Sequence, residues 1–150
     1  MQIERSSELE QLTQESYDAW DRGDMGWFAD HLSTQDPIMF GSAPDEEMQG
    51  SEAIADATRK ALAERESWPF KPTDRRVVDA RQCGDLGWSL IESKWEFDDG
   101  TYVPTRGLTI WHREDGTWKM VLGLVAPAFA NDLLHAGSPV TQRTEAAIST

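Results

Sequence analysis

The sequence lacks the features that define several large classes of protein. Its 150 residues include one cysteine, Cys83, so an intrachain disulfide is excluded. No apolar run approaches the roughly 18 residues that a bilayer-spanning helix requires. The N-terminal segment MQIERSSELEQ has neither the basic nor the apolar region of a secretory signal. These absences predict a cytoplasmic protein with no membrane partner.

Positive charge is also scarce. Fourteen Lys and Arg residues face 27 Asp and Glu residues, which gives a formal net charge of −13 at pH 7. The adjacent basic pairs are Arg59-Lys60 and Arg75-Arg76, and neither belongs to a larger cluster. Because phosphate binding needs a basic patch, nucleic acid is excluded as a partner.

Metal and nucleotide motifs are missing as well. The three histidines, His31, His112 and His135, do not have the spacing of zinc ligands. The eleven glycines form neither a GxGxxG nor a P-loop pattern. We therefore expect no metal and no cofactor.

Helical patterns occupy the N-terminal half of the chain. Residues 4–22 place apolar side chains at three- and four-residue spacing, and Gly23 can end this helix. Asp24 is placed to cap a short second helix, and Ser51 to cap a third that runs to about residue 66. The pattern therefore predicts three helices.

Aromatic residues are abundant in the C-terminal half, which carries four of the seven tryptophans between positions 85 and 129. A short apolar strand is predicted at residues 38–40. Four longer strands follow at residues 73–81, 86–97, 101–113 and 117–126. Gly100 and Gly116 fit tight hairpin turns, because glycine adopts positive φ without steric cost. Helices followed by hairpin-connected strands indicate an α+β domain.

The order of these helices and strands, together with several local sequences, resembles the nuclear transport factor 2-like superfamily, in particular its SnoaL-like branch. They are Trp20-Asp21-Arg22-Gly23-Asp24, Trp27-Phe28-Ala29-Asp30, Phe40-Gly41-Ser42, Asp45 to Gly50, Arg106-Gly107-Leu108-Thr109 and Asp115 to Lys119. The resemblance implies a cone-shaped, curved, mostly antiparallel sheet wrapped around three N-terminal helices (a cystatin-like α+β barrel). It covers about residues 5–130, and we expect the domain at 1–137, followed by a polar tail at 138–150 that has little to bury. It also implies a homodimer that pairs through the outer face of the sheet.

An apolar pocket inside the cone is expected from the aromatic content and from the last strand. Many SnoaL-like relatives carry polar residues, often His-x-His-x-Ser, where this chain has Leu122-Gly123-Leu124-Val125-Ala126. Strict alternation would place Trp118, Met120, Leu122, Leu124 and Ala126 on one face, in the pocket or in a dimer interface. The predicted ligand-binding residues are Trp27, Phe28, Phe40, Trp68, Trp88, Trp95, Trp111, Leu122 and Leu124.

Three residues are candidates for catalysis: Asp30, Tyr17 and Arg106. Asp30 ends the second helix, near the pocket mouth in many relatives. Tyr17 lies near the tyrosine region of the family's isomerases, but one position out of register. Arg106 is embedded in an apolar strand and needs an acidic partner, for which Glu92 and Asp30 are available. The acidic turns at Asp98-Asp99 and Glu114-Asp115 are expected to be solvated.

Three functions remain open at this point. The first is a binding domain for a small lipophilic or aromatic ligand, without assignable catalysis. The second is an isomerase, dehydratase or cyclase acting on a polycyclic or polyketide-like substrate. The third is a structural dimerisation module. A fold of this kind predicts a pocket but does not determine a reaction.

Overall fold

The structure is a computed structural model, and it describes residues 1–128. The predicted tail at 138–150, and His135, lie outside the described residues. Three helices are present: α1 (Ser7–Arg22), α2 (Met25–His31) and α3 (Ser51–Glu64), the last followed by a 3-10 turn at Arg65–Ser67. The strands are β1 (Glu4–Arg5), β2 (Ile38–Phe40), β3 (Glu47–Gln49), β4 (Phe70–Cys83), β5 (Leu86–Phe97), β6 (Tyr102–Glu114) and β7 (Thr117–Pro127).

The helix ends follow from their capping residues. Ser6 caps α1 by accepting the Leu9 N–H, and α1 starts later than predicted because Glu4–Arg5 pairs with β4. Gly23 ends α1 in the left-handed conformation, with φ 68°, as predicted. Asp24 caps α2 as predicted, its carboxylate accepting the Trp27 N–H at 3.0 Å. The prediction of Ser51 as the cap of α3 is wrong, because the cap position is Gly50.

The strands form one sheet in the order β1-β4-β5-β6-β7-β2-β3, which is curved and does not close. All neighbours are antiparallel except β2 and β7, which run parallel. The predicted α+β fold is therefore confirmed. In the acidic segment before Gly50, Glu47–Gln49 forms the edge strand β3 by pairing with β2.

The inner face of the sheet is the one that α1 covers. A Cβ atom on Gly87 would lie 2.3 Å from Leu9 Cδ1, so Gly87 faces this helix. Alternation along β5 then places Ser89, Ile91, Ser93 and Trp95 on the inner face as well. The buried core on this side contains Leu9, Ala80, Trp111 and Trp118, with Leu12, Trp27, Val77 and Met120 packed against it.

A bulge in β7 makes the predicted alternation wrong. Trp111 pairs with Met120, whereas its neighbour Ile110 pairs with Leu122, so Val121 is an extra residue in β7. Met120 therefore shares the inner face with Trp111. Leu122 shares the outer face with Ile110, and Leu124 pairs with Leu108 on that same face. The row that was expected on one face is divided between both faces.

Within residues 1–128, no helix is both long enough and apolar enough to cross a bilayer.

Candidate ligand site

A continuous series of aromatic rings lies between the end of α1 and the inner face of the sheet. The rings, which we call the aromatic chain, are Trp20, Trp68, Phe70, Trp95 and Phe97. Successive ring centroids are separated by 5.7, 5.5 and 4.9 Å from Trp20 to Trp95, and Phe97 lies 5.9 Å from Phe70. Phe97 is buried, whereas the other four rings are partly exposed. The aromatic chain therefore offers apolar ring surface that the described residues do not fully cover.

Local sequence explains how the aromatic chain forms. Trp20 lies in the last turn of α1, and Trp68 follows the 3-10 turn that ends at Ser67. Phe70 pairs with Phe97 in the β4–β5 ladder, and alternation brings Trp95 to the same face as Phe97. A helix end and two strand ends thus supply the five rings.

Tyr17 lies one helical turn before Trp20 on α1, so the two residues are neighbours on its surface. The Tyr17 hydroxyl is buried and has no hydrogen-bond partner among the described residues. Burial raises the pKa of Tyr17 well above its ordinary value, and the nearby Arg75 charge opposes this only in part. The hydroxyl is therefore a protonated donor at neutral pH.

Arg75 packs between Tyr17 and Asp21. Its guanidinium lies 5.3 Å from the centre of the Tyr17 ring and donates to both Asp21 carboxylate oxygens, at 2.8 and 2.7 Å. The hydrogen bond from Arg75 holds the pKa of Asp21 below its ordinary value. Arg65 contributes a second positive charge nearby and donates to the Asp21 backbone carbonyl at 3.4 Å. Because Asp21 directly follows Trp20 in α1, these charged side chains lie next to the aromatic chain.

The predicted ligand-binding residues lie in three different places. Trp68 and Trp95 belong to the aromatic chain. Trp111 is 1% exposed in the core, and its ring nitrogen donates to the buried Ser89 hydroxyl at 3.0 Å. Trp27 packs against the same core and contacts Phe28 edge to face. These residues lie on the inner side of the sheet or on the helices that cover it.

The remaining predicted ligand-binding residues lie on the outer face. Trp88 pairs with Ile110, Ile110 with Leu122, and Leu122 with Ile38, which forms one apolar row across four strands. A parallel row consists of Leu90, Leu108, Leu124 and Phe40. Leu90, Leu124 and Phe40 are about 40% exposed, at 39%, 39% and 42%. We call these eight residues the outer apolar rows.

The three candidate catalytic residues are not brought together. Asp30 is exposed near the end of α2, where its backbone carbonyl accepts from Lys119. Arg106 is exposed on the outer face and lies 3.8 Å from Glu92, which also pairs with Arg76 at 2.7 Å. Tyr17 lies at the α1–β4 contact. The acidic partner predicted for Arg106 is thus Glu92, in an exposed pair rather than a buried one.

His31, which follows Asp30 at the end of α2, stacks on Trp27 with ring centroids 4.1 Å apart. Its Nδ1 atom lies 2.8 Å from the Trp27 carbonyl. This placement fixes the ring against α2 rather than beside the Asp30 carboxylate. Asp30 and His31 therefore do not form a carboxylate–imidazole pair for proton transfer.

Two depressions on the surface are open to solvent. One, of about 540 Å³, lies at the start of α3 between Asp36 and Asp56. The other, of about 280 Å³, lies on the sheet beside Arg76, Glu92 and Arg106. Among residues 1–128, no group of three or more His, Cys, Asp or Glu side chains is arranged to hold a metal ion.

Sequence reasoning missed part of the aromatic chain. Trp20, Phe70 and Phe97 were not predicted as ligand contacts, although Trp68 and Trp95 were. Phe70 opens β4, three residues before the predicted start of that strand at residue 73. Strand alternation could have predicted Phe97, because it lies two residues after Trp95 and therefore on the same face of β5. The pairing of Arg75 with Asp21 joins residues 54 positions apart, and no local pattern predicts it.

Three helices over a curved, open sheet define the nuclear transport factor 2-like class of α+β domains. Within that class, the chain belongs to the SnoaL-like domain family, whose model matches residues 9–123. The resemblance noted from sequence is therefore confirmed. Among curated proteins, none matches the chain.

Solved structures show the same fold at low identity. A cystatin-like domain of unknown function from Nostoc punctiforme is 17% identical, with a TM-score of 0.68 over 93% of this chain and 91% of that one. A nuclear transport factor 2-like protein of unknown function from Pseudomonas putida is 15% identical, with a TM-score of 0.62 over 85% and 92%. A proposed dehydratase from Streptomyces avermitilis is 17% identical, with a TM-score of 0.61 over 81% and 95%.

Proposed function

We propose that this chain is a binding domain for a small apolar or aromatic ligand, and that the ligand contacts the aromatic chain. The partly exposed rings of Trp20, Trp68, Phe70 and Trp95 are the observation that carries the proposal. Aromatic rings bind flat apolar molecules by stacking and by burial of apolar area. Catalysis is not part of the proposal, because Asp30, Tyr17 and Arg106 are not brought together in the fold.

Fluorine NMR of protein labelled with 5-fluorotryptophan tests this site directly. Naphthalene is a suitable probe, because it is flat and has no polar group. We expect naphthalene to shift the resonances of Trp20, Trp68 and Trp95 and to leave that of Trp88 unchanged. Substitution of Trp88 by Phe identifies the outer-face signal and serves as the matched control. The proposal fails if no resonance moves, or if Trp88 alone responds.

We also propose that two copies of the chain pair through the outer apolar rows. These rows extend across β5, β6, β7 and β2 without an interrupting polar residue. Two acidic residues beside them are neutralised: Glu92 pairs with Arg76, and Asp79 pairs with Arg81, each at 2.7 Å. In a chain of net charge −13, this face is therefore suited to approach by a second copy.

Sedimentation velocity over a range of concentrations tests the dimer. We expect Leu90→Glu and Leu124→Glu to convert the dimer to monomer, because each buries an unpaired charge in the interface. Ile3→Glu is the control, since Ile3 is 55% exposed and lies outside the rows. The dimer proposal fails if the parent chain is monomeric. A dimer in which no probe binds would instead support a structural dimerisation module.

A further inference from the structure

We infer that the depression beside Arg76, Glu92 and Arg106 binds a small organic carboxylate with an apolar body, and that Arg106 holds the carboxylate. The depression lies on the outer face of the sheet, toward the β5–β6 hairpin. Its volume of about 280 Å³ is just below the range of pockets for drug-sized ligands, which fits a small molecule. The site is separate from the aromatic chain, so the inference goes beyond the proposed function and does not depend on it.

The depression exists because short side chains lie between long ones. On β6, Pro104 lies between Arg106 and Tyr102, and alternation places all three on one face. Lys94 pairs with Pro104 across the ladder, and the Ala128 N–H donates to the Pro104 carbonyl at 2.8 Å. Pro104 and Ala128 carry short apolar side chains, so they form an apolar floor below the longer side chains around them.

Arg106 has donors that the neighbouring residues do not use. Its side chain is 73% exposed, and its ionic contact within residues 1–128 is with Glu92, at 3.8 Å, which is beyond hydrogen-bond distance. Glu92 already accepts a hydrogen bond from Arg76 at 2.7 Å. The Arg106 guanidinium can therefore bind a ligand carboxylate through two parallel hydrogen bonds, a geometry that the two groups share.

The charge around the depression favours an anion, although the chain as a whole does not. Three cations line it, Arg76, Lys94 and Arg106, against two acids, Asp74 and Glu92. Lys94 pairs with Asp74 at 2.8 Å and Arg76 with Glu92 at 2.7 Å, so the excess positive charge lies on Arg106. Because the net charge of −13 opposes the approach of anions, we expect binding in the millimolar range that weakens as salt is added.

Four probes test the inference at pH 7: benzoate, benzamide, acetate and inorganic phosphate. Benzoate has both a carboxylate and an apolar ring, whereas benzamide lacks the charge, and acetate and phosphate lack the ring. Titration of isotope-labelled protein, followed by backbone amide NMR, measures affinity and locates the site. We expect benzoate to shift the amides of Lys94 and Arg106 and to bind about threefold to fivefold more tightly than each of the other probes.

Three variants assign the charge contact. Arg106→Gln should weaken benzoate binding by about threefold to fivefold and leave benzamide binding unchanged. Arg59→Gln is the matched control, because it removes the same charge from a side chain that is 61% exposed on α3. Glu92→Gln should strengthen benzoate binding, because it removes the acid that competes for the two guanidinium groups.

Several results would overturn the inference. They are equal binding of benzoate and benzamide, binding of acetate or phosphate as tight as that of benzoate, equal effects of Arg106→Gln and Arg59→Gln, and weaker benzoate binding in Glu92→Gln. Benzoate shifts confined to Trp68 and Trp95 would overturn it too, while supporting the proposed ligand site. If benzoate shifts no amide, the inference fails, and the naphthalene test of the aromatic chain is unaffected.

Discussion

Arg75 and Asp21 connect the long strand β4 to the last turn of α1 through two hydrogen bonds, of 2.8 and 2.7 Å. The Arg75 side chain is 15% exposed, whereas that of Asp21 is 60% exposed. The contact thus holds a largely buried guanidinium under a carboxylate that water still reaches. It fixes α1, and with it Tyr17 and Trp20, against the sheet.

This pair makes the stability of the domain depend on pH. The pKa of Asp21 is lowered in the folded state, chiefly by the hydrogen bond from Arg75, from an ordinary value of 3.8. The stabilisation is therefore present above pH 3.8 and is lost as the pH falls through the lower folded-state pKa. We expect Asp21→Asn to reduce the free energy of unfolding at pH 7 by on the order of 0.5 kcal/mol, a value discounted for solvent screening.

Urea unfolding at pH 7 and pH 2.5 measures the effect of Asp21→Asn. The difference between parent and variant should be present at the higher pH and should shrink at the lower one. Asp18→Asn is the control, because Asp18 is an exposed residue on the same helix. A difference of equal size at both pH values would contradict the assignment to the ionised carboxylate.

Ser89 and Trp111 form a buried polar contact that should be costly to break. Ser89 is 0% and Trp111 1% exposed, and the indole N–H donates to the hydroxyl at 3.0 Å. Ser89→Ala leaves the indole donor unsatisfied in the core, so we expect a loss of about 1–3 kcal/mol in unfolding free energy. Chemical denaturation measures it, with the exposed Ser42→Ala as control. A loss no larger than that of the control would show that the hydrogen bond contributes little.

Gly87 allows α1 to approach the sheet closely. A Cβ atom there would lie 2.3 Å from Leu9 Cδ1 and 2.9 Å from the Arg81 carbonyl oxygen. We therefore expect Gly87→Ala to lower the unfolding free energy by about 1–3 kcal/mol through overpacking. Gly26→Ala is the matched control, because Gly26 lies in α2 with only the Asp24 carboxylate nearby, and alanine favours the helix. A thermal melt that is unchanged in Gly87→Ala would mean that the helix can shift freely.

Local patterns predicted most of the fold. Gly23, Gly100 and Gly116 marked a helix end and two hairpins, and each adopts the positive φ that its position requires. The bulge at Val121 could not be predicted, because one extra residue in an apolar strand leaves no compositional trace. That single residue determines whether the Leu122 and Leu124 side chains lie on the inner or the outer face of the sheet.

The candidate site was predictable only in part. Aromatic content and strand alternation indicated Trp68 and Trp95, which belong to the aromatic chain. The Tyr17 hydroxyl lacks a hydrogen-bond partner within residues 1–128 because of the atoms that surround it in the fold. The pairing of Arg75 with Asp21 depends on a contact between distant segments. Both are properties of tertiary packing, so no window of the sequence contains them.

Glu114 is an acidic turn residue that was expected to be solvated, and the structure contradicts that expectation. Its side chain is 9% exposed and accepts a hydrogen bond from the fully buried Ser33 hydroxyl. We expect Glu114→Ala to lower the unfolding free energy by about 1–3 kcal/mol, because it leaves the Ser33 hydroxyl without an acceptor, and Glu114→Gln to lower it less. Asp98→Ala, in the exposed β5–β6 turn, is the control. Equal losses in Glu114→Ala and Asp98→Ala by urea denaturation would show that the contact with Ser33 does not stabilise the fold.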